Sequence, residues 1–423
     1  MNTNDVRLCG LCVRRGTVLL MRETPDAVFT FPGAAFLNLF SNQYDSHLSE
    51  IFAKQIGAEV LSCGSWTPFE TSEILDNKEI IKSFDNPECS NLKYLWSYLV
   101  LGHMPGGMGQ DNQKLVWMNL QNPFESQLLA PEVKWFLDHL LNDPGNSYTP
   151  VKTMSGVQTF AHIATGEILH SQAGPFVEAE QLYIAPLGLR TRKSEMTVYD
   201  CGLGCGTLVI AARQAFLENV HLKKMTIVSF DLEKKGLLAL KKHLSDFAEA
   251  VPHEQFIDQI IACDNFTEQI SPDKQLQFIF VKGDFSQTVL SDNWPYPLAD
   301  AIFYDFFSPL NHSELWSLKV LTALRTRCSD SCLLSTYSSA TSIRACFAAA
   351  GFYVGEGVPS GKKGNTTLIA SNFYNLAQPL KPLFLQTFAR SQKQFLPSEN
   401  SETQKSIADL LRWHPQFFMG PRK

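Results

Sequence analysis

The sequence predicts an α/β protein in two parts: a mostly parallel sheet covered by helices on both faces, preceded by a smaller domain. Three observations carry this. Between residues 196 and 350 short apolar runs alternate with stretches of helical spacing, a glycine-rich turn follows the first of these runs, and a turn-dense break sets the region apart from the first 140 residues. At 423 residues the chain is also too long for one typical domain.

The runs MTVYD (196–200), MTIVSFD (225–231), LQFIFVKGD (276–284), ADAIFYDF (299–306) and SCLLSTY (331–337) read as buried strands. Helical spacing occupies 206–219, 233–247, 313–327 and 340–350 between them. Continuous apolar strands separated by helices imply a parallel sheet buried on both faces. In such sheets ligands bind beyond the carboxyl ends of the strands. The stretch LNDPGNSYTP (141–150) is dense in turn residues and reads as a linker. A second break falls near NLAQPLKP (375–382), after which the chain looks helical. The expected organisation is a first domain over 1–145, a linker over 146–155, the parallel-sheet domain over 156–375 and a basic helical tail over 376–423.

Composition narrows the class of protein. The apolar share of 44% and charged share of 18% are ordinary for a globular protein. No apolar run approaches the length of a membrane span, and the charged N-terminus lacks the apolar core of a signal peptide, so a cytoplasmic location is expected. Ten cysteines in such a setting are expected to be reduced. Cys9 and Cys12 have C-x-x-C spacing but no second pair at zinc spacing, so no metal site is expected. Residues 1–150 carry 10 Lys+Arg against 17 Asp+Glu, 151–375 carry 19 against 22, and 376–423 carry 7 against 3. This is a weak electrostatic footprint for nucleic acid, with Arg190-Thr191-Arg192-Lys193 as a local basic patch.

The first strand of the sheet runs into VYDCGLGCGT, with Asp200, Gly202, Gly204 and Gly206. Glycines at a strand-to-helix turn let backbone approach a ligand, and a helix N-terminus favours negative charge. The order is an acid followed by G-x-G-x-G, not the G-x-G-x-x-G of a dinucleotide site. It suits a ligand with an amino-acid end, whose ammonium Asp200 would stabilise directly or through water. Asp231 ends the second strand, where a carboxylate can accept both ribose hydroxyl protons. Asp284 follows the third strand, placed to receive an adenine amino group, with Phe285 packing on the ring. Acids at three successive strand ends match S-adenosylmethionine better than NAD.

From residue 165 to 370 the sequence resembles a known family, the methyltransferase domain of the MnmC/MnmD type. That family methylates the aminomethyl group on wobble uridine of bacterial tRNA. The stretches that carry the likeness are TGEILHSQAGPFVEAEQLY (165–183), VYDCGLGCGT (198–207), ADAIFYDFFSPLNHSELW (299–316), LSTYSSATSIRACFAAAGF (334–352) and GKKGNTTLIAS (361–371). The resemblance implies a Rossmann-like class I methyltransferase sheet and S-adenosyl-L-methionine as cofactor. It also implies an amine acceptor held near Asp305, which matches the acid of a D-x-F-[SA]-P motif. Ser171, Gly174 and Glu178 match a segment beside the cofactor and substrate mouth; Asp200, Gly202, Gly204, Gly206, Asp231 and Asp284 match cofactor positions. Asp305 would orient the amine and stabilise the ammonium that develops. Lys362 and Lys363 would meet tRNA phosphate, and Phe306 or Phe307 would stack on a splayed anticodon base. The chain departs from the family at Phe306, where glycine is common, and at Asn311-His312.

Residues 1–145 resemble, more loosely, a Nudix domain, through LCGLCVRRGTVLLMRE, FTFPGA, YLWSYLVLGH, LVWMNLQN and APEVKWFLDHLL, and the resemblance implies that this first domain is α/β. Aligning the late glycine of the hydrolase box on Gly57 puts Lys54 and Gln55 where two metal-binding glutamates belong and Glu50 where arginine belongs. Pyrophosphate cleavage needs a metal to neutralise charge. A degenerate, non-hydrolytic domain is therefore expected, with an unspecified ligand or partner. Two other readings of the whole chain stay open: a methyltransferase of a small-molecule or protein amine, and a non-catalytic S-adenosylmethionine-binding scaffold.

Overall fold

The computed structural model describes residues 6–11, 13–14, 17–21, 33–36, 60–65, 93–101, 115–119, 148–153, 156–162, 167–170, 173–309, 312–359 and 365–418. The chain divides into two compact units, Met1–Gly174 and Pro175–Lys423.

The first unit contains β1 (Val6–Leu11), β2 (Val13–Arg14), β3 (Thr17–Met21), β4 (Gly33–Phe36), β5 (Val60–Ser65), β6 (Lys93–Leu101), β7 (Leu115–Asn119), β8 (Tyr148–Lys152), β9 (Gln158–His162) and β10 (Glu167–Ile168). They form a four-stranded sheet in the order β4-β1-β6-β5, with β1 parallel to β6, and three-stranded sheets β2-β3-β7 and β10-β9-β8. The expected hydrolase-box positions Glu50, Lys54, Gln55 and Gly57, and the segment APEVKWFLDHLL, lie outside the described residues. Part of the stretch expected as a linker is a strand instead. Tyr148, Pro150 and Val151 are buried as β8 pairs with β9.

The second unit is built on one eight-stranded sheet. Its strands are β11 (Ser194–Cys201), β12 (Leu222–Asp231), β13 (Asn265–Ser271), β14 (Lys274–Lys282), β15 (Ala299–Tyr304), β16 (Cys328–Thr336), β17 (Tyr353–Pro359) and β18 (Asn365–Ala370), in the order β13-β14-β12-β11-β15-β16-β18-β17. The five central strands, β14, β12, β11, β15 and β16, are parallel. These are the five apolar runs of the sequence. Val198, Ile227, Val228, Ile302, Phe303 and Leu334 are fully buried, as a sheet covered on both faces requires. The antiparallel strands β13, β18 and β17 flank this core. β13 and β17 lack the continuous apolar run that marks a strand buried on both faces.

The helices are α1 (Pro175–Ala179), α2 (Thr207–Glu218), α3 (Lys235–Lys242), α4 (Glu254–Ala262), α5 (Phe285–Thr288), α6 (Leu318–Arg325), α7 (Thr341–Ala349), α8 (Phe384–Arg390) and α9 (Ser401–Trp413). Strand order reverses at β11: the next strand in sequence, β12, lies on one side and β15 on the other. That reversal opens a crevice beyond the carboxyl ends of β11 and β15.

The C-terminal segment is integral to the unit. Phe384, Phe388, Leu396, Ile407, Leu411 and Phe417 share one buried cluster with Ile343 and Phe347 of α7 and with Val354 of β17. The chain before α8 lies along β17, with Glu356 N–H donating to Gln378 O at 2.8 Å and Leu380 N–H to Val354 O at 2.9 Å. Gln416 completes the cover, donating to Val354 O and Leu380 O and accepting from Val354 N–H. An edge strand that would otherwise present unpaired backbone is closed in this way.

Candidate active site

The loop after β11 is shaped for close backbone approach. Gly202 has φ +103°, and a Cβ there would meet the Asp305 carbonyl oxygen at 3.0 Å and the Phe306 ring at 3.3 Å. Glycine thus lets the loop lie directly against the end of β15. On the other side, Gly236 at the start of α3 sits so close that a Cβ would meet Gly204 O at 2.2 Å. A Cβ on Gly204 would meet nothing within 4 Å, so the loop turns an open face outward between these two contacts. The 12-residue helix α2 begins directly after Gly206.

Asp200 and Asp231 flank the loop. Asp200 is fully buried and accepts from Ser229 Oγ at 2.5 Å, while its Oδ1 has no hydrogen-bond partner. Burial pushes its pKa well up, and a buried acceptor without a partner carries a desolvation cost of about 1–3 kcal/mol. Asp231 accepts from Gly204 N–H at 3.1 Å and from Leu232 N–H at 2.7 Å, which ties the end of β12 to the glycine loop. Burial raises its pKa to about 6 against the pull of these backbone donors. Leu232, next in sequence, is 60% exposed.

Asp284 and Phe285 have other engagements. Asp284 is exposed and caps α5, accepting from Ser286 N–H at 2.9 Å. Phe285, expected against a ligand ring, is 2% exposed and packs at 5.2 Å from Phe230 and 5.1 Å from Phe306. The alternation that placed it after an acid at a strand end also makes it the first core-facing residue of α5.

Asp305 follows β15 and continues its ladder, its N–H donating to Cys201 O at 3.0 Å. Its Oδ1 accepts from Tyr183 Oη at 2.5 Å. Burial is the main cause that raises its pKa to about 7; the Tyr183 hydroxyl pulls it down and the nearby Glu178 carboxylate pushes it up. Tyr183 is 1% exposed and lies in a π-helical turn, Glu180–Ile184, that continues α1. Such turns are rare and recur at functional sites. Tyr183 closes the sequence stretch that carries Glu178, yet nothing in its spacing marked it. The extra residue of the π turn is what rotates it inward.

Phe306 is held in place, its ring 5.3 Å from Tyr304 and its carbonyl accepting from Tyr337 Oη at 3.2 Å. Phe307 is half-buried, 5.8 Å from the His312 ring, with its carbonyl bonded to Trp316 Nε1. Gly174 belongs to the first unit and has φ +93°. Ser171, Lys362 and Lys363 lie outside the described residues. The basic patch at 190–193 is engaged within the molecule: Arg190 pairs with Glu180 and Glu218, and Arg192 with Asp300. Among the described residues no cluster of His, Cys, Asp or Glu could hold a metal, and Cys201, Cys205, Cys263, Cys328, Cys332 and Cys346 are free thiols.

Comparisons with known proteins follow this geometry. Residues 214–372 match the family described as S-adenosyl-L-methionine-dependent methyltransferase. The chain is 24% identical over 207 residues to the tRNA 5-methylaminomethyl-2-thiouridine biosynthesis bifunctional protein MnmC of Burkholderia multivorans, covering 46% of this chain and 30% of that protein. It is 26% identical over 191 residues to the protein of the same name from Pseudomonas savastanoi, covering 41% and 27%. The chain thus spans about 30% of the length of the curated relatives it matches. Among solved structures, MNMC2 from Aquifex aeolicus aligns at 22% identity and TM-score 0.46, covering 67% of this chain and 92% of that one. Spermidine synthase from Thermotoga maritima aligns at 13% identity and TM-score 0.35, covering 62% and 83%. The orphaned Oδ1 of Asp200, the outward face at Gly204 and the carboxylate of Asp231 fit a ligand with an ammonium and a ribose. Over residues 214–372 the chain is thus similar to the S-adenosyl-L-methionine-dependent methyltransferase family, with S-adenosyl-L-methionine as the cofactor of that family.

Proposed function

We propose that the chain is an N-methyltransferase that acts on the aminomethyl group of wobble uridine in bacterial tRNA. The observation that carries this reading is Asp305, a carboxylate at the strand-order reversal, held beside the glycine loop with its pKa raised to about 7. The likeness to proteins named for tRNA 5-methylaminomethyl-2-thiouridine biosynthesis supports the choice of substrate. A cytoplasmic location accompanies it.

The cofactor supplies a methyl group on a positively charged sulfur. Asp200 and the Gly202–Gly206 loop would hold its amino-acid end, Asp231 its ribose, with Leu232 against the base. Asp305 has the task of keeping the acceptor nitrogen unprotonated. An aminomethyl group arrives largely as an ammonium, which the Asp305 carboxylate with Glu178 nearby would attract. A carboxylate with a pKa near 7 takes a proton from it far better than one near 3.8. Phe306 is committed to packing against Phe285 and Tyr304, which leaves Phe307 to stack on an extruded base. Lys362 and Lys363 are proposed to meet phosphate.

Mass spectrometry of tRNA nucleosides from cells with and without the gene tests the substrate. Loss of the methylated wobble nucleoside, restored by this chain, is expected; unchanged nucleosides reject the reading. A second reading, a small-molecule or protein amine as acceptor, is favoured by the acidic balance of the chain and by the internal pairing of Arg190 and Arg192. Salt titration separates the two, because binding to tRNA weakens steeply with salt and binding of a small amine does not.

A further inference from the structure

Among the described residues Tyr183 is the one tyrosine whose hydroxyl meets the reactive carboxylate, and its surroundings fix it there. Its ring packs edge-on against Phe303 at 5.8 Å, in a site that phenylalanine would fill as well. The π turn that carries it is pinned from below by Ser335 Oγ, which donates to Leu182 O at 2.5 Å. A hydroxyl buried to this depth needs a partner, and the one it has is Oδ1 of Asp305. We propose that Tyr183 is a positioning residue for amine deprotonation: by donating to Oδ1 it fixes the carboxylate plane and presents Oδ2 to the acceptor ammonium.

The inference rests on the amine reading above. In the step it serves, one N–H bond of the ammonium breaks, an O–H bond forms at Oδ2, and the electron pair stays on nitrogen as the nucleophile. The hydroxyl has a second effect of the same origin. Three other groups act on this pair: Glu178 of α1 and Asp200 of β11, both negative when ionised, and Tyr337 after β16. Tyr183 itself donates a hydrogen bond to the Asp305 side chain and so favours its ionised form. The other acids favour the proton. Tyr183 thus keeps Asp305 partly ionised at neutral pH, in a setting that otherwise opposes it.

The test uses Tyr183→Phe in the full chain, with two readouts. The first is the carboxyl titration of Asp305 followed by 13C NMR in the ligand-free protein. Its midpoint is expected to move to higher pH in the variant, and an unmoved midpoint overturns the proposal whatever the acceptor is. The second is the pH profile of methyl transfer on tRNA carrying the aminomethyl group. The variant is expected to lose about 10–100-fold in kcat at pH 7, as for removal of a hydrogen bond to a charged group. Its acid limb should shift upward, with unchanged affinity for S-adenosylmethionine by calorimetry. An unchanged profile overturns the proposal, while a wild-type chain inactive on that tRNA with a moved NMR midpoint rejects only the substrate. Should Tyr183→Phe misfold, 3-fluorotyrosine at 183 replaces it. The more acidic phenol then moves the Asp305 midpoint and the acid limb downward, and no movement overturns the proposal.

Discussion

At Asp305 the role proposed in catalysis and the stability of the fold pull in opposite directions. The folded protein retains its proton up to about pH 7, whereas an unfolded chain releases it near 3.8. Between these values the folded state binds more protons than the unfolded one, so stability falls as pH rises and stays lower above pH 7. Asp305→Asn keeps an acceptor for Tyr183 and removes the buried charge. It should abolish methyl transfer while raising Tm at pH 8 on the order of 5 °C, with no gain below pH 4, as read by calorimetry at the two pH values. A variant equally active, or no more stable at pH 8, contradicts the role given to Asp305. The same titration predicts that wild-type kcat/KM climbs with pH and levels above about 7, because only the carboxylate accepts the proton.

Among the elements, the glycine loop works through its neighbour α3 as much as through its own sequence. Gly236 has no Cβ to collide with Gly204 O, and this lets α3 buttress the loop from behind. Gly236→Ala should displace the loop at a cost of about 1–3 kcal/mol and weaken S-adenosylmethionine binding by at least tenfold in calorimetry. Unaltered binding would mean that the loop keeps its shape without α3. The glycine pattern at 202, 204 and 206 was legible because a strand-to-helix turn next to an acid needs it. Gly236 was not, because a lone glycine in a helical run carries no mark of the backbone it will meet. Asp284 shows the reverse: its position at a strand end was readable, and its engagement as the cap of α5 was not.

For the molecule as a whole, the C-terminal segment is the main revision. Its basic composition and helical spacing described a tail, yet α8 and α9 contribute to the core of the sheet and close its β17 edge. Leu411→Ala is accordingly expected to cost about 2–5 kcal/mol and lower the Tm of the second unit by on the order of 10 °C, together with S-adenosylmethionine binding. A tail apart from the core would leave both unchanged. Among the described residues no helix is long and apolar enough to cross a membrane.

The sequence by itself determined the five central parallel strands, the glycine loop between β11 and α2, and the acids at the strand ends. These follow from local pattern: apolar runs of strand length, and glycine where backbone must turn sharply beside an acid. Only the tertiary structure decided which of those acids share a site, that Phe285 turns into the core, that Tyr183 reaches Asp305 across 122 positions, and that the tail seals the sheet edge. Those outcomes depend on strand order and on one extra residue in a helical turn, and both are set by how distant segments pack rather than by the spacing of residues along the chain.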